Sequence, residues 1–254
     1  MSQAPLNDIK VPISSNKYNP VTLDNSWGST VTVNLYQTDL VISYLLTVVL
    51  GSLSGGTSPA WNVSGSNPVL AHVTVKYDQD TIYDADVPLI QEYNKITRGN
   101  SPNGLAFVID IADFNLKTKK YFMQTGFPTW KTAQTQMIIT LPSLGSITTG
   151  TPTSSSGTIL YMTERVVRRG AVTWPLLLVK HTQVTQPIPL TGANDLVSFL
   201  ARVGAYKDLL LFASSSQGYN NGSDSLITSL QLKLNKQIVV FDEYWANLKQ
   251  ENYY

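Results

Sequence analysis

The sequence predicts an all-β chain built as two similar β-sandwiches in tandem, and three observations lead there. Short runs alternate apolar and polar residues, as in Val31-Thr32-Val33-Asn34-Leu35, and clusters of Gly, Pro, Asn and Asp separate them. One pattern of strand, turn, strand and acid begins at Val73 and again at Leu230, about 157 positions later. A Ser/Thr-rich stretch lies near the middle of the 254 residues.

The repeated pattern is the most informative of the three. Its first copy reads Val73-Thr74-Val75-Lys76-Tyr77, a turn at Asp78-Gln79-Asp80, then Ile82-Tyr83 and Asp84. Its second reads Leu230-Gln231-Leu232-Lys233-Leu234, a turn at Asn235-Lys236-Gln237, then an apolar run to Phe241 and Asp242. A helix is expected after each copy, once one residue is inserted or deleted. Asp86 is expected to cap the first, with Pro88 in its first turn, Leu89, Tyr93 and Ile96 on one side, and Gly99 just past its end. Asp242 is expected to cap the second, which groups Tyr244, Trp245 and Leu248.

Taken in order, residues 1–20 are polar and read as an extended arm without the layout of a signal peptide. Residues 31–35 form a strand, and the apolar run 40–50 forms one or two buried strands, since it is too short to span a membrane. Residues 51–68, rich in Gly, Ser, Asn and Pro around Trp61, form a long loop. The first copy of the repeat follows, then a strand around Phe107-Val108-Ile109-Asp110 and another at residues 137–141. Ten of the seventeen residues from 142 to 158 are Ser or Thr, which reads as a linker. Residues 158–162 open the second half, and a helix is expected over residues 194–203, with Leu196, Phe199, Leu200 and Val203 on one face. A strand follows at residues 209–212, before the second copy of the repeat.

Composition removes several function classes. The net charge is +1 with 14% charged residues, so there is no electrostatic footprint for specific nucleic-acid binding. The chain has no cysteine and two histidines, His72 and His181, far apart in sequence. That leaves little for a thiolate metal site or a nucleophilic triad, and no cofactor or metal is expected.

The repeated unit, the strand at residues 107–110, the strand at residues 209–212 and the central Ser/Thr stretch together give the chain a resemblance to a known family. It resembles the double jelly-roll major capsid proteins of tailless icosahedral viruses, and most of all the compact corticovirus-like members from membrane-containing bacterial viruses. The resemblance covers about residues 25–254 and rests on pattern and order. It implies two tandem eight-stranded jelly-roll β-sandwiches with short helices in the connections. The boundaries would be an arm at 1–20, a first jelly roll at 21–141, a linker at 142–158 and a second jelly roll at 159–254. It further implies a non-enzymatic structural protein whose homotrimers form pseudo-hexagonal capsomers of a virion shell, made in the host cytoplasm. The expected partners are other copies of the chain and neighbouring capsomers, with minor capsid or penton proteins and an inner membrane as further candidates.

The residues singled out for function are Trp61, Arg165, Arg168 and Arg169, as exposed or interface positions. Trp61 stands in the Gly/Ser loop, and the three arginines suit a solvated edge or intersubunit ion pairs. The alternative function is a tandem carbohydrate-binding or spike-like sandwich, in which Trp27, Trp61, Trp130, Trp174 and Trp245 would offer stacking faces. Glycoside hydrolysis would need paired carboxylates. Asp84 with Asp86 are read instead as helix caps, and Asp110 with Asp113 as strand-end or lysine-paired residues. Both histidines are read as ordinary strand residues, and the Asn62-Val63-Ser64 and Asn221-Gly222-Ser223 sequons carry little weight.

Overall fold

The computed structural model describes residues 13–99, 103–112, 124–172, 176, 178–183, 229–234 and 238–244. The chain divides into two units, Met1–Asp195 and Leu196–Tyr254. In the first, the strands are β1 (Ile13–Lys17), β2 (Val21–Thr22), β3 (Thr30–Asn34), β4 (Leu40–Val49), β5 (Ser52–Ser54), β6 (Ala60–Trp61), β7 (His72–Tyr77) and β8 (Asp80–Asp86). Helix α1 (Val87–Arg98) follows, then β9 (Ala106–Asp110), β10 (Phe127–Pro128), β11 (Thr135–Thr140), β12 (Thr148–Thr149), β13 (Ser154–Ser156), β14 (Ile159–Val167) and β15 (His181–Thr182). The all-β expectation holds: among the described residues, α1 interrupts two sheets whose principal pairs are antiparallel.

Eight principal strands explain both sheets. In chain order they are β1 with its continuation β2, then β3, β4, β7, β8, β9, β11 and β14. First pairs with eighth, second with seventh, third with sixth and fourth with fifth, as in one long ribbon folded at the β7–β8 turn. Two further pairings, β14 with β4 and β11 with β7, appear when that ribbon is rolled up. The result is a sheet in the order β1-β14-β4-β9 facing one in the order β3-β11-β7-β8, which is a jelly roll. Alternation does the packing. Tyr44, Leu46, Val48, Leu160, Met162, Phe107 and Ile109 from the first sheet meet Val73, Val75, Tyr77, Met137 and Ile139 from the second, all buried.

Three expectations about organisation are corrected. Residues 142–158 are not an interdomain linker: β12 pairs with β6 and β13 with β5, so this stretch zips against the loop at residues 51–68. The two loops approach closely enough to require glycine. Gly56 has φ +69°, and a Cβ there would lie 1.9 Å from the Gly150 carbonyl oxygen. The second half does not open at residue 159, because β14 lies between β1 and β4 as the eighth strand of the first sandwich. Nor does the arm run to residue 20, since β1 and β2 both pair with β14. Residues 1–12 lie outside the described part.

Helix α1 starts and stops where its sequence predicts, with proline in its first turn and Gly99 at φ 69° as the left-handed C-cap. Its buried face differs from the expected one. Val87, Ile90, Gln91 and Asn94 are covered, whereas Leu89 and Tyr93 are half-buried and Ile96 is exposed. Asn94 earns its inward place through bonds from Nδ2 to the Ile90 and Val108 carbonyls, at 2.6 and 2.8 Å. Asp86 is the N-cap residue, but its carboxylate makes no capping bond.

In the second unit, β16 (Ser229–Leu234) and β17 (Ile238–Tyr244) form an antiparallel hairpin. It repeats β7–β8 in detail. The register shifts between Val75 and Lys76 in one hairpin and between Leu232 and Lys233 in the other, the same step of the repeat. Thr74 Oγ1 donates to the directly opposite Asp84 at 2.8 Å, and Gln231 Nε2 donates to the directly opposite Asp242 at 2.9 Å. Asp242 is therefore a strand residue and not a helix cap. The expected helix at 194–203, the strand at 209–212 and the helix containing Trp245 and Leu248 lie outside the described residues.

The position of β14 yields a test. A fragment of residues 13–141 lacks the eighth strand and is expected to give no cooperative unfolding transition by circular dichroism, whereas residues 13–183 unfold cooperatively. A cooperatively folded 13–141 fragment would contradict this assignment.

Candidate functional site

The outer face of the first sheet is the most distinctive surface. Residues alternating with its core positions point away from the sandwich: Leu45, Thr47 and Val49 on β4, Ile159, Tyr161 and Thr163 on β14, and Ala106 and Val108 on β9. Their register places Val49 opposite Ile159, Thr47 between Tyr161 and Ala106, and Leu45 between Thr163 and Val108. These eight neighbours carry no charge. Val49 is 51% and Tyr161 44% exposed, so large apolar side chains meet solvent on a continuous sheet surface.

At one end the same face is covered by its own chain. Leu40, Ile42, Ala112 and Val167 form a second, small core beneath Trp130, Ala171, Val172 and Leu176. Between the covered and bare parts stands Arg165, exposed on β14.

A polar network ties β1 to this sheet. Glu164 occupies an inward position of β14 and is 1% exposed. It accepts bonds from Asn16 Nδ2 at 2.7 Å and from the Tyr18 hydroxyl at 2.5 Å. Burial raises the Glu164 carboxyl above its ordinary range, against the two donors that lower it. Burial also pushes the Tyr18 hydroxyl far upward, and the neighbouring Glu164 adds to this. Arg168 extends the network, donating to Asp39 at 2.6 Å and to Asn16 Oδ1 at 3.1 Å. These contacts join β1 and Tyr18 to β14 and to the turns at Asp39 and Arg168.

A second polar cluster sits on the outer face of the other sheet. His72 bonds Asp86 through Nδ1 at 2.7 Å and Asp84 through Nε2 at 2.9 Å. The bond to Asp86, with further help from Asp84, raises its imidazole to about 9 against partial burial. His72 is thus a charged clasp between two carboxylates instead of an ordinary strand residue. Sequence reading missed it because the ring and its partners lie on adjacent strands, although the i, i+2 spacing of Asp84 and Asp86 on one strand face was visible. His181 lies against Tyr83 and Tyr93.

The residues expected to be exposed or interfacial are dispersed. Trp61 is half-buried, not exposed: its indole N–H donates to the Gly51 carbonyl at 2.8 Å and its ring meets Trp27 at 5.7 Å. Trp27 in turn donates to Ser155 Oγ at 2.9 Å. Arg169 lies over Trp130 at 5.6 Å and gives its backbone N–H to Asp39. Arg165 adjoins the uncharged face, as does exposed Lys17, opposite Thr163 on β1. Trp174, Trp245, Asp113 and the second sequon lie outside the described residues. Asp110 is buried and paired with Arg98 at the end of α1. Among the described residues no three His, Asp or Glu side chains converge as a metal site. A surface depression is lined by Asn34, Leu35, Gln37, Ala133, Gln134 and Thr135, none of them ionisable.

No family model matches the chain, and no curated protein matches its sequence. Solved structures do. The STIV MCP is similar at 14% identity and a TM-score of 0.45, over 62% of this chain and 49% of that one. The major capsid protein P2 from Bacteriophage PM2 is similar at 10% identity and a TM-score of 0.43, over 62% and 51%. A chain from the atomic structure of Sulfolobus Turreted Icosahedral Virus is similar at 13% identity and a TM-score of 0.45, over 61% and 45%. The STIV MCP and P2 are viral major capsid proteins. This chain spans about half the length of each.

The buried glutamate supplies a test. Its folded pKa lies above its unfolded value, so the wild-type protein loses stability as pH rises from the ordinary carboxylate range through the raised folded value. Glu164→Gln removes that titration while keeping an acceptor for Asn16. Urea unfolding at pH 4.5 and 7.5 is expected to show the variant gaining on the wild type at the higher pH; a gap independent of pH would contradict the buried charge.

Proposed function

We propose that this chain is a viral major capsid protein, a structural protein without catalytic function, whose trimers tile an icosahedral shell. The observation that carries the reading is the repetition of a bulged, aspartate-bonded hairpin in two units of one chain. In the first unit that hairpin forms the fourth and fifth strands of a jelly roll, and we read residues 229–244 as the same strands of a second one. Two such sandwiches per chain let three chains present six near-equivalent sides, which closed threefold symmetry can tile. The uncharged outer sheet face around Tyr161 and Val49 supplies the kind of surface that obligate contacts bury.

On this reading the protein works in the virion shell after synthesis in the host cytoplasm. Its principal partners are its own copies, and minor capsid or penton proteins and an inner membrane are further contacts to seek in purified particles. The carbohydrate-binding alternative is less well supported. Trp27 and Trp61 are engaged through their indole N–H groups and Trp130 packs on the second core, so these three form no coplanar, solvent-facing platform.

Sedimentation tests the reading. The wild-type chain is expected to associate to three times its 27.9 kDa mass. Tyr161→Asp with Val49→Asp is expected to leave a folded monomer, because two charges would be buried unpaired at each contact. A wild-type protein that stays monomeric at every concentration would overturn the proposal.

A further inference from the structure

We propose that His72, Asp84, Asp86 and Gln183 form a latch that fastens residues 178–183 to the free edge of the second sheet and thereby fixes where the chain leaves the first sandwich. The inference does not depend on the capsid reading. Strand β8 is the last of the eight-strand roll on its side, and such an edge offers unpaired backbone groups. Here β15 adds to it in parallel, but only through His181 opposite Tyr83 and Thr182 opposite Asp84, with the Gln183 N–H bonding the Asp84 carbonyl at 3.1 Å. A parallel pairing this short has little hold of its own.

Side chains supply the rest. The Gln183 amide grips Asp86 at two points: its Oε1 accepts the Asp86 backbone N–H at 2.7 Å, and its Nε2 donates to Asp86 Oδ2 at 2.7 Å. The other carboxylate oxygen of Asp86 bonds His72 Nδ1, and Asp84 Oδ1 receives both His72 Nε2 and Thr74 Oγ1. An imidazole donates from both nitrogens only as the cation. Protonated His72 therefore orients Asp86 for Gln183 and neutralises the two like charges that β8 presents side by side.

Among the described residues, these groups surround His72. Asp84 and Asp86 come from β8, uncharged Thr140 stands opposite it on β11, and neutral Gln183 reaches in beyond Asp86. Beyond these, Lys76 lies two residues past Thr74 on the same face of β7, and Lys180 pairs with Asp80 at 3.1 Å. With its folded value at about 9, above the ordinary 6.5, the contribution of His72 is complete below 6.5 and is lost as pH rises through 9. The latch is closed at neutral pH and opens in alkali.

Tryptic cleavage after Lys180 in the full chain, normalised to a free peptide of residues 176–186, reads the opening directly. Wild-type protein is expected to resist at pH 7 and to be cut at least about tenfold faster, relative to the peptide, at pH 9.5, which is the worth of one charged hydrogen bond. His72→Ala is expected to be cut rapidly at both pH values. Should that variant fail to fold, Gln183→Ala leaves His72 and its carboxylates in place and is expected to show the same rapid cleavage at pH 7. The proposal is overturned if the normalised wild-type rate does not change with pH, or if Gln183→Ala is as resistant as wild type at pH 7.

Discussion

The return of β14 to lie between β1 and β4 is the constraint on which the first unit depends. Nine residues of β14 pair along β4, and five of its residues pair with β1 on the other side. Without that strand the first sheet would lose its middle, and Leu160, Met162 and Val166 would leave the core. Burial of three such side chains is worth on the order of 5 kcal/mol, comparable with the whole stability of a small domain. The Ser/Thr-rich ribbon before it and the Asp24 carboxylate support the same return. Desolvation would raise the Asp24 carboxyl, but the bonds it accepts from Ser155 Oγ and the Gly157 and Thr158 N–H groups together hold it below the ordinary range.

This geometry also determines which surfaces remain for other molecules. Because β14 and β4 are central, their outward side chains share one face, covered by the chain itself at Leu40 and Ile42, crossed by exposed Arg165, and uncharged from Leu45 to the bare end at Val49. Polar groups are gathered elsewhere: in the Glu164 network inside the roll, and in the His72 clasp on the opposite sheet.

Local pattern made much of this legible. Alternation located β3 and β7, apolar runs located β4, β9 and β11, and proline and glycine bracketed α1. The repeat at Val73 and Leu230 anticipated two hairpins that share even the position of their bulge. The parts that were not legible depend on contacts distant in sequence. Ser and Thr at 142–158 looked like a linker because composition cannot say that their backbones pair with residues 52–61. Glu164 breaks the apolar alternation of β14, which hid the strand's inward face, and its donors lie almost 150 residues away in β1 and at Tyr18. Asp86 carried the sequence signature of a cap, yet its carboxylate is engaged by His72 and Gln183, one of them on a segment 97 residues downstream.

The chain contains no cysteine, so an engineered pair reports on one contact alone. Thr47 and Tyr161 stand directly opposite each other on β4 and β14, and antiparallel partners lie within the Cα separation that a disulfide bridges. With Thr47→Cys and Tyr161→Cys, mild oxidation under dilute conditions is expected to close an intrachain disulfide in nearly all molecules, seen as a mobility shift reversed by reductant. Free thiols that persist, or links that form only between chains, would contradict the placement of β14 in the first sandwich.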